Sequence, residues 1–194
     1  MKPRCVLILS ALTVAMSSIP VAAQSVSHTP PVTVQVLEPR NKLEEFETRL
    51  ETVLVRGTTN IGTVSARSGS IRVQAVEIQD LGKSERVTGI ELTINPAPKA
   101  LETLMDYEEI DALISGLDTV AKANESVTKL TRFRVGYRSK EDFEVAAFKL
   151  ANDNLVVVVS NDAMPRVSIQ MNLDEVAKLR YFILQAKATL DEIK

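Results

Sequence analysis

The residues best suited to binding chemistry are arginines in the segment TRFRVGYRSK, residues 131–140. Alternation with period two predicts a strand on which Arg132, Arg134 and Arg138 share one face. Guanidinium groups in such a row could bind the phosphate, sulfate or carboxylate groups of an anionic ligand or polymer. The alternative is an ordinary solvated strand face, because Glu144 on the following strand would reach the same face and offset the positive charge.

A second candidate lies in MDYEEIDAL, where Glu108 and Asp111 stand about one helical turn apart. Two such carboxylates could act as acid and base in a hydrolase if one of them lost its solvation. Acids are also favoured in the first turn of any helix by its dipole, and Asp118 could form an ordinary pair with Lys122 four residues on. Hydrolysis is therefore the less favoured interpretation.

Several kinds of catalysis lack their usual residues. Cys5 and His28 are the only cysteine and the only histidine, and both precede the segments with helix or strand patterns. A cysteine nucleophile, a disulfide, a thiolate metal site or a triad with a fixed imidazole is therefore not expected in the folded part. No glycine-rich phosphate loop is present either. We expect no enzymatic activity, no metal site and no cofactor.

The N-terminus has the pattern of a secretory signal peptide over residues 1–23. A cationic start, MKPRC, precedes the apolar run VLILSALTVAM and the small residues Val21, Ala22 and Ala23. The apolar run is too short to span a bilayer, and no later segment is apolar enough to do so. Residues 24–39 contain Pro30, Pro31 and Pro39, which predicts a flexible tether. The expected location is periplasmic or secreted.

The charge balance bears on possible partners. Loss of Lys2 and Arg4 with the leader lowers the basic count from 23 to 21, against 25 acids. This mildly acidic balance gives no general attraction to nucleic acid or anionic lipid, so nucleic acid is not an expected partner.

A helix followed by strands is predicted for the first half of the folded part. Residues 41–56 show helical spacing, with the apolar residues Leu43, Phe46, Leu50 and either Val53 or Leu54 on one face. Strand patterns follow, with a hairpin at Ser68 and Gly69 and an alternating run at 90–94. The apolar parity of the middle strand changes after Ala75, which predicts a one-residue bulge there. Residues 95–100, NPAPKA, end this block.

Two later helices begin with the same capping signature, Asp106 with Glu109 and Asn172 with Glu175. The two starts align at an offset of 66 residues, and strands are predicted between them near 131–138, 143–150, 154–160 and 165–171. We therefore predict a single α+β domain over residues 40–194, built of antiparallel sheet and amphipathic helices. Two repeated strand-strand-strand-(strand)-helix units, 58–125 and 129–194, would follow the N-terminal helix; chance alignment of two amphipathic helices is the alternative.

The last helix is more apolar than one buried face requires. Tyr181, Leu184 and Ala188 lie outside its main stripe, so they are candidate interface residues. Either the helix is covered on two sides within the monomer, for example by the helix at 41–56, or it meets a partner. Gly116 aligns with Phe182, which would allow a small-against-large fit if the two helices pack together.

These patterns favour an exported, non-enzymatic binding or interaction module. Its expected partner is a second copy, bound through the C-terminal helix, or another envelope or extracellular protein. A binder of an anionic ligand through the arginine row is the alternative, and a hydrolase is the least favoured one.

Overall fold

A computed structural model describes residues 38–123, 128–130, 132–149, 155–163 and 166–193. The expected signal peptide, the tether up to residue 37, Cys5 and His28 lie outside these residues. The described residues belong to one unit, Leu37–Lys194. Its elements in chain order are α1 (Lys42–Glu47), β1 (Leu54–Ala66), β2 (Gly69–Asp80), β3 (Glu85–Asn95), β4 (Leu101–Asp106), a 3-10 turn (Tyr107–Glu109), α2 (Ile110–Ala121), β5 (Arg134–Arg138), β6 (Phe143–Lys149), β7 (Leu155–Asn161), β8 (Val167–Met171) and α3 (Leu173–Asp191).

The strands form two four-stranded antiparallel sheets. Sheet 1 has the order β1-β2-β3-β4 and sheet 2 has the order β5-β6-β7-β8, so strands adjacent in sequence are neighbours in space. A helix follows each sheet, which confirms the predicted α+β class. The hairpin at Ser68 and Gly69 is also confirmed, because Ala66 pairs with Gly69 across the turn.

Each of the two later helices packs on the sheet that it does not follow in the sequence. The helix that follows sheet 1, α2, packs on β5 and β6, whereas α3, which follows sheet 2, packs on β1, β2 and β3. The two helices also pack against each other and run antiparallel, because Asp118 contacts Arg180 and Asp111 contacts Lys187. One continuous apolar core therefore contains residues from both units.

The predicted helix at 41–56 is wrong in its second half. The helix α1 ends at Glu47, and Glu51 has a left-handed backbone with φ of 57°. The chain then enters β1, whose first residue, Leu54, pairs with Asp80 of β2. Pairing with a distant strand outweighs the local helical pattern, and Leu50 is left 88% exposed instead of buried.

The predicted bulge in the middle strand is also wrong. Pairing between β2 and β3 is continuous, and the register shift lies in β1, between Asn60 and Gly62. The change of parity has another cause, because β2 is buried on opposite faces along its length. Its first half contributes to the main core, whereas Val76 and Ile78 pack in a smaller core with residues of α1.

The first unit has a fourth strand, which follows the segment 95–100 and includes the predicted helix start at Asp106. Residues of β4 pair with β3 from Leu101 to Asp106, and α2 begins only at Ile110, after the 3-10 turn. Asp106 makes no side-chain capping bond to its own helix. The capping box of α3 is confirmed, since Asn172 and Glu175 bond reciprocally.

Candidate functional site

The arginine row is only partly on a strand, and its strand residues are paired with carboxylates. Arg134 and Arg138 are exposed on β5, whereas Arg132 is exposed just before that strand. Arg134 forms an ion pair with Glu144 of β6, whose side chain is buried.

Arg138 has two acidic neighbours of its own. Its Nη2 lies 2.7 Å from an Asp142 oxygen and 3.3 Å from an Asp162 oxygen. The hydrogen bond to Asp142 raises the pKa of the Arg138 guanidinium. An anionic ligand at this face would have to compete with three carboxylates of the chain itself.

Glu108 and Asp111 do not form a pair. Glu108 accepts a hydrogen bond of 2.9 Å from Lys42 of α1, whereas Asp111 lies 2.5 Å from Lys187 of α3. Both carboxylates are well exposed, so neither lies in the water-excluded environment that a catalytic acid of a hydrolase requires. The sequence suggested that Asp118 pairs with Lys122. In the structure Asp118 pairs instead with Arg180.

The outer face of α3 carries an exposed apolar stripe. Tyr181 is 55% exposed and Leu184 38% exposed, and Ala188 is exposed one turn further on. Leu173 and Ala177 continue the same stripe toward the start of the helix. The interpretation that α1 covers this helix is wrong, because α1 packs on β2, β3 and β4. We call these five residues the outer stripe of α3.

A second exposed apolar surface was missed by the sequence analysis. Leu50, Val53 and Leu81 are 88%, 65% and 54% exposed, and the amide of Leu81 donates to the carbonyl of Val53. The helical pattern had placed Leu50 and Val53 on a buried face, so no sequence signal pointed to this patch.

A buried polar junction joins the start of α1 to turns of both units. The carboxylate of Asp106, at the end of β4, accepts hydrogen bonds from the amides of Lys42 and Leu43 at 2.9 and 3.1 Å. Asn41 donates from Nδ2 to the carbonyl of Leu104 at 2.8 Å. Residues of sheet 1 therefore hold the first turn of α1.

Glu141, in the turn between β5 and β6, is the most deeply buried acid of this junction, with 2% exposure. Its Oε1 accepts from Asn41 at 3.3 Å, and its carbonyl accepts from Asn161 at 3.1 Å. Its Oε2 is buried without a hydrogen-bond partner. Burial raises the pKa of Glu141, and the nearby negative charge of Glu109 raises it further.

Glu109 is the second acid of the junction. Its Oε1 lies 2.9 Å from Nζ of Lys140, whereas its Oε2 is buried without a partner. The half-buried Tyr137 lies near both acids, and burial followed by the charges of Glu109 and Glu141 raises the pKa of its hydroxyl. No sequence pattern indicated this arrangement, because Glu141 has the features of a solvated turn residue and Glu109 those of a helix-capping acid.

No group of three or more histidine, cysteine or acidic side chains is arranged to hold a metal ion within residues 38–123, 128–130, 132–149, 155–163 and 166–193. None of their helices combines the length and apolarity needed to cross a bilayer. Comparison of the chain with protein-family models, with curated proteins and with solved structures gives no match.

Proposed function

We propose that the protein is an exported, non-enzymatic interaction module that associates with a second copy through the outer stripe of α3. The observation that carries this proposal is the exposure of Tyr181 and Leu184 on a helix whose opposite face already fills the core. Large apolar side chains grouped on one face of a soluble protein favour a contact surface. The leader pattern of residues 1–23 supports export.

The spacing of the outer stripe suits a two-fold contact between identical helices. In an antiparallel pair centred between Tyr181 and Leu184, each Tyr181 meets the Leu184 of the other copy. The same register sets Ala177 opposite Ala188, so small residues flank the large ones and the two helices can approach closely. A two-fold interface requires this kind of self-complementary patch.

Light scattering coupled to size exclusion at low and high salt tests this proposal on residues 24–194. We expect a dimer at both salt concentrations, because apolar burial is not screened by salt. The double variant Tyr181→Ser, Leu184→Ser should be a folded monomer. Leu81→Ser removes an equally exposed apolar side chain from the other patch, so it is the matched control and should remain a dimer.

Two results would contradict the proposal. A monomer of the unmodified chain in both conditions would leave the outer stripe without a second copy as its partner. A monomer for Leu81→Ser together with a dimer for the double variant would move the interface to the patch of Leu50, Val53 and Leu81.

A further inference from the structure

The junction around Glu141 contains two buried carboxylate oxygens without partners. Glu141 is fixed by its neighbours on three sides, since its amide donates to Ser139 Oγ at 3.2 Å and Asn41 and Asn161 bond to its other oxygens. Only Oε2 has no partner, and Oε2 of Glu109 is in the same condition. A buried carboxylate that keeps its charge without a full set of hydrogen bonds is costly, and a bound proton removes that cost.

We propose that Glu141 is a proton-binding site that controls how firmly α1 is held against the two sheet units. In the protonated form Glu141 is neutral, so only Glu109 is negatively charged at this point of the junction. Asn41 can then donate to Glu141 while no second buried anion lies beside Glu109. In the ionised form the two acids repel each other within the junction. The hydrogen bond from Asn41 lowers the pKa of Glu141, but burial raises it more. Readmitting water to the ionised carboxylate therefore requires the start of α1 to move away from the turn between β5 and β6.

Burial and the nearby charge of Glu109 favour the bound proton, and together they outweigh the hydrogen bond from Ser139, which lowers the pKa of Glu141. Lys140 is the nearest cation by sequence, but its ammonium group is held by Glu109. Arg40 and Arg138 both contact Asp142. The groups that face the junction are Asp106 from β4, Glu109 from the 3-10 turn, Tyr137 from β5, Lys140 and Asp142 from the turn beside Glu141, and Asp162 after β7, with the neutral Asn41 from α1.

The direction of the pH dependence follows from the raised pKa of Glu141. Over the interval between the pKa of a free glutamate and that of Glu141, the folded state binds a proton that the unfolded state has lost. The stabilising contribution is therefore complete below the free value and is lost as the pH rises through the folded value. At higher pH α1 should open more readily, while the sheets stay folded.

Titration of the full exported chain by NMR tests this inference, with the side-chain carboxyl carbons of glutamate and the α1 amides as separate readouts. We expect Glu141 to titrate above the ordinary glutamate range, and the amides of Leu43 and Phe46 to shift with the same midpoint. In Glu141→Gln that amide transition should disappear, and α1 should stay closed at high pH.

A second variant keeps the test decisive if Glu141→Gln folds poorly. Glu109→Gln removes the neighbouring charge, so the midpoint of Glu141 should fall, whereas Glu102→Gln, an exposed acid on β4, should leave it unchanged. A midpoint of Glu141 at or below the ordinary glutamate value would overturn the inference. So would α1 amides that do not follow the titration of Glu141.

Discussion

Phe182 of α3 lies directly against Gly62 of β1, so closely that a Cβ atom on Gly62 would stand 2.6 Å from the phenyl ring. In the other half of the molecule Tyr137 of β5 lies in the same way against Gly116 of α2. The aromatic residue is on the helix in the first contact and on the strand in the second. The small-against-large fit predicted between Gly116 and Phe182 of the two helices is therefore wrong, because each of these residues lies instead against an edge strand.

The four positions correspond through the strand register. Successive cross-strand pairs lead across sheet 1 from Gly62 on β1 to Thr103 on β4. In the same way, successive pairs lead across sheet 2 from Tyr137 on β5 to Ile169 on β8. Thr103 and Ile169 are 66 residues apart, the offset that also separates Gly116 from Phe182. Large and small residues thus take opposite places at corresponding positions of the two halves, in line with the similar order of strands and helix in each half.

Gly62→Ala should destabilise the protein by about 1–3 kcal/mol, because the added methyl group overpacks the contact with Phe182. Gly57→Ala in the same strand is the matched control, since a Cβ there meets nothing within 4 Å. Denaturant unfolding of both variants measures the difference. The double variant Gly62→Ala, Phe182→Leu replaces the phenyl ring by a smaller side chain, so it should recover part of the lost stability. Equal stability of Gly62→Ala and Gly57→Ala would contradict the contact.

Asp106→Asn should release the first turn of α1 while leaving α2 intact. The substitution replaces a carboxylate that accepts two amide hydrogens with a group that can accept only one of them, at a cost of roughly 1–3 kcal/mol. Hydrogen exchange should accelerate at Lys42 and Leu43. Asn172→Ala is the comparison, because it should instead weaken α3 by about 1 kcal/mol. Faster exchange at the start of α2 in Asp106→Asn would restore the local capping interpretation.

Asp106 and Asn172 show what the sequence could and could not predict. Both precede a glutamate three residues on, and the capping box was predicted at both sites. At Asn172 every partner is local, so the prediction is confirmed. At Asp106 the side chain bonds to the distant α1, and the same pattern has a different outcome. Local patterns thus identified the class of fold, the first hairpin and the last helix.

The candidate site could not be predicted for a related reason. Glu141 is buried only because α1, the 3-10 turn and the end of β7 converge on its turn, and no spacing in the sequence records that convergence. Leu50 is the opposite case, since a regular apolar spacing placed it in a core that the strand pairing of β1 then excluded. The outer stripe of α3 was visible in the sequence as an excess of apolar residues.

Asp118→Asn should lower the melting temperature at neutral pH by a few degrees at most. The hydrogen bond from Arg180 lowers the pKa of the Asp118 carboxyl, so its stabilising effect is present above the ordinary aspartate value. That effect should be lost as the pH falls through the lowered value, and the two proteins should then melt alike. Melting curves across acidic pH test this. Lys122→Gln should have the smaller effect at neutral pH; the reverse order would favour the pair predicted from sequence.

The exchange of large and small residues predicts a strong coupling between Tyr137 and Gly116. Gly116→Phe alone should overpack against Tyr137, and Tyr137→Gly alone should leave a cavity costing on the order of 3 kcal/mol. The double variant reproduces the arrangement of Gly62 and Phe182, so it should be more stable than the sum of the two losses predicts, by roughly 0.5–3 kcal/mol. Unfolding measurements on the four proteins of this cycle give the coupling directly. Pairing Tyr137→Gly with Gly57→Phe, in the other sheet, should give additive effects, because a Cβ at Gly57 meets nothing within 4 Å. Additive effects in both cycles would mean that the two halves do not share one packing scheme.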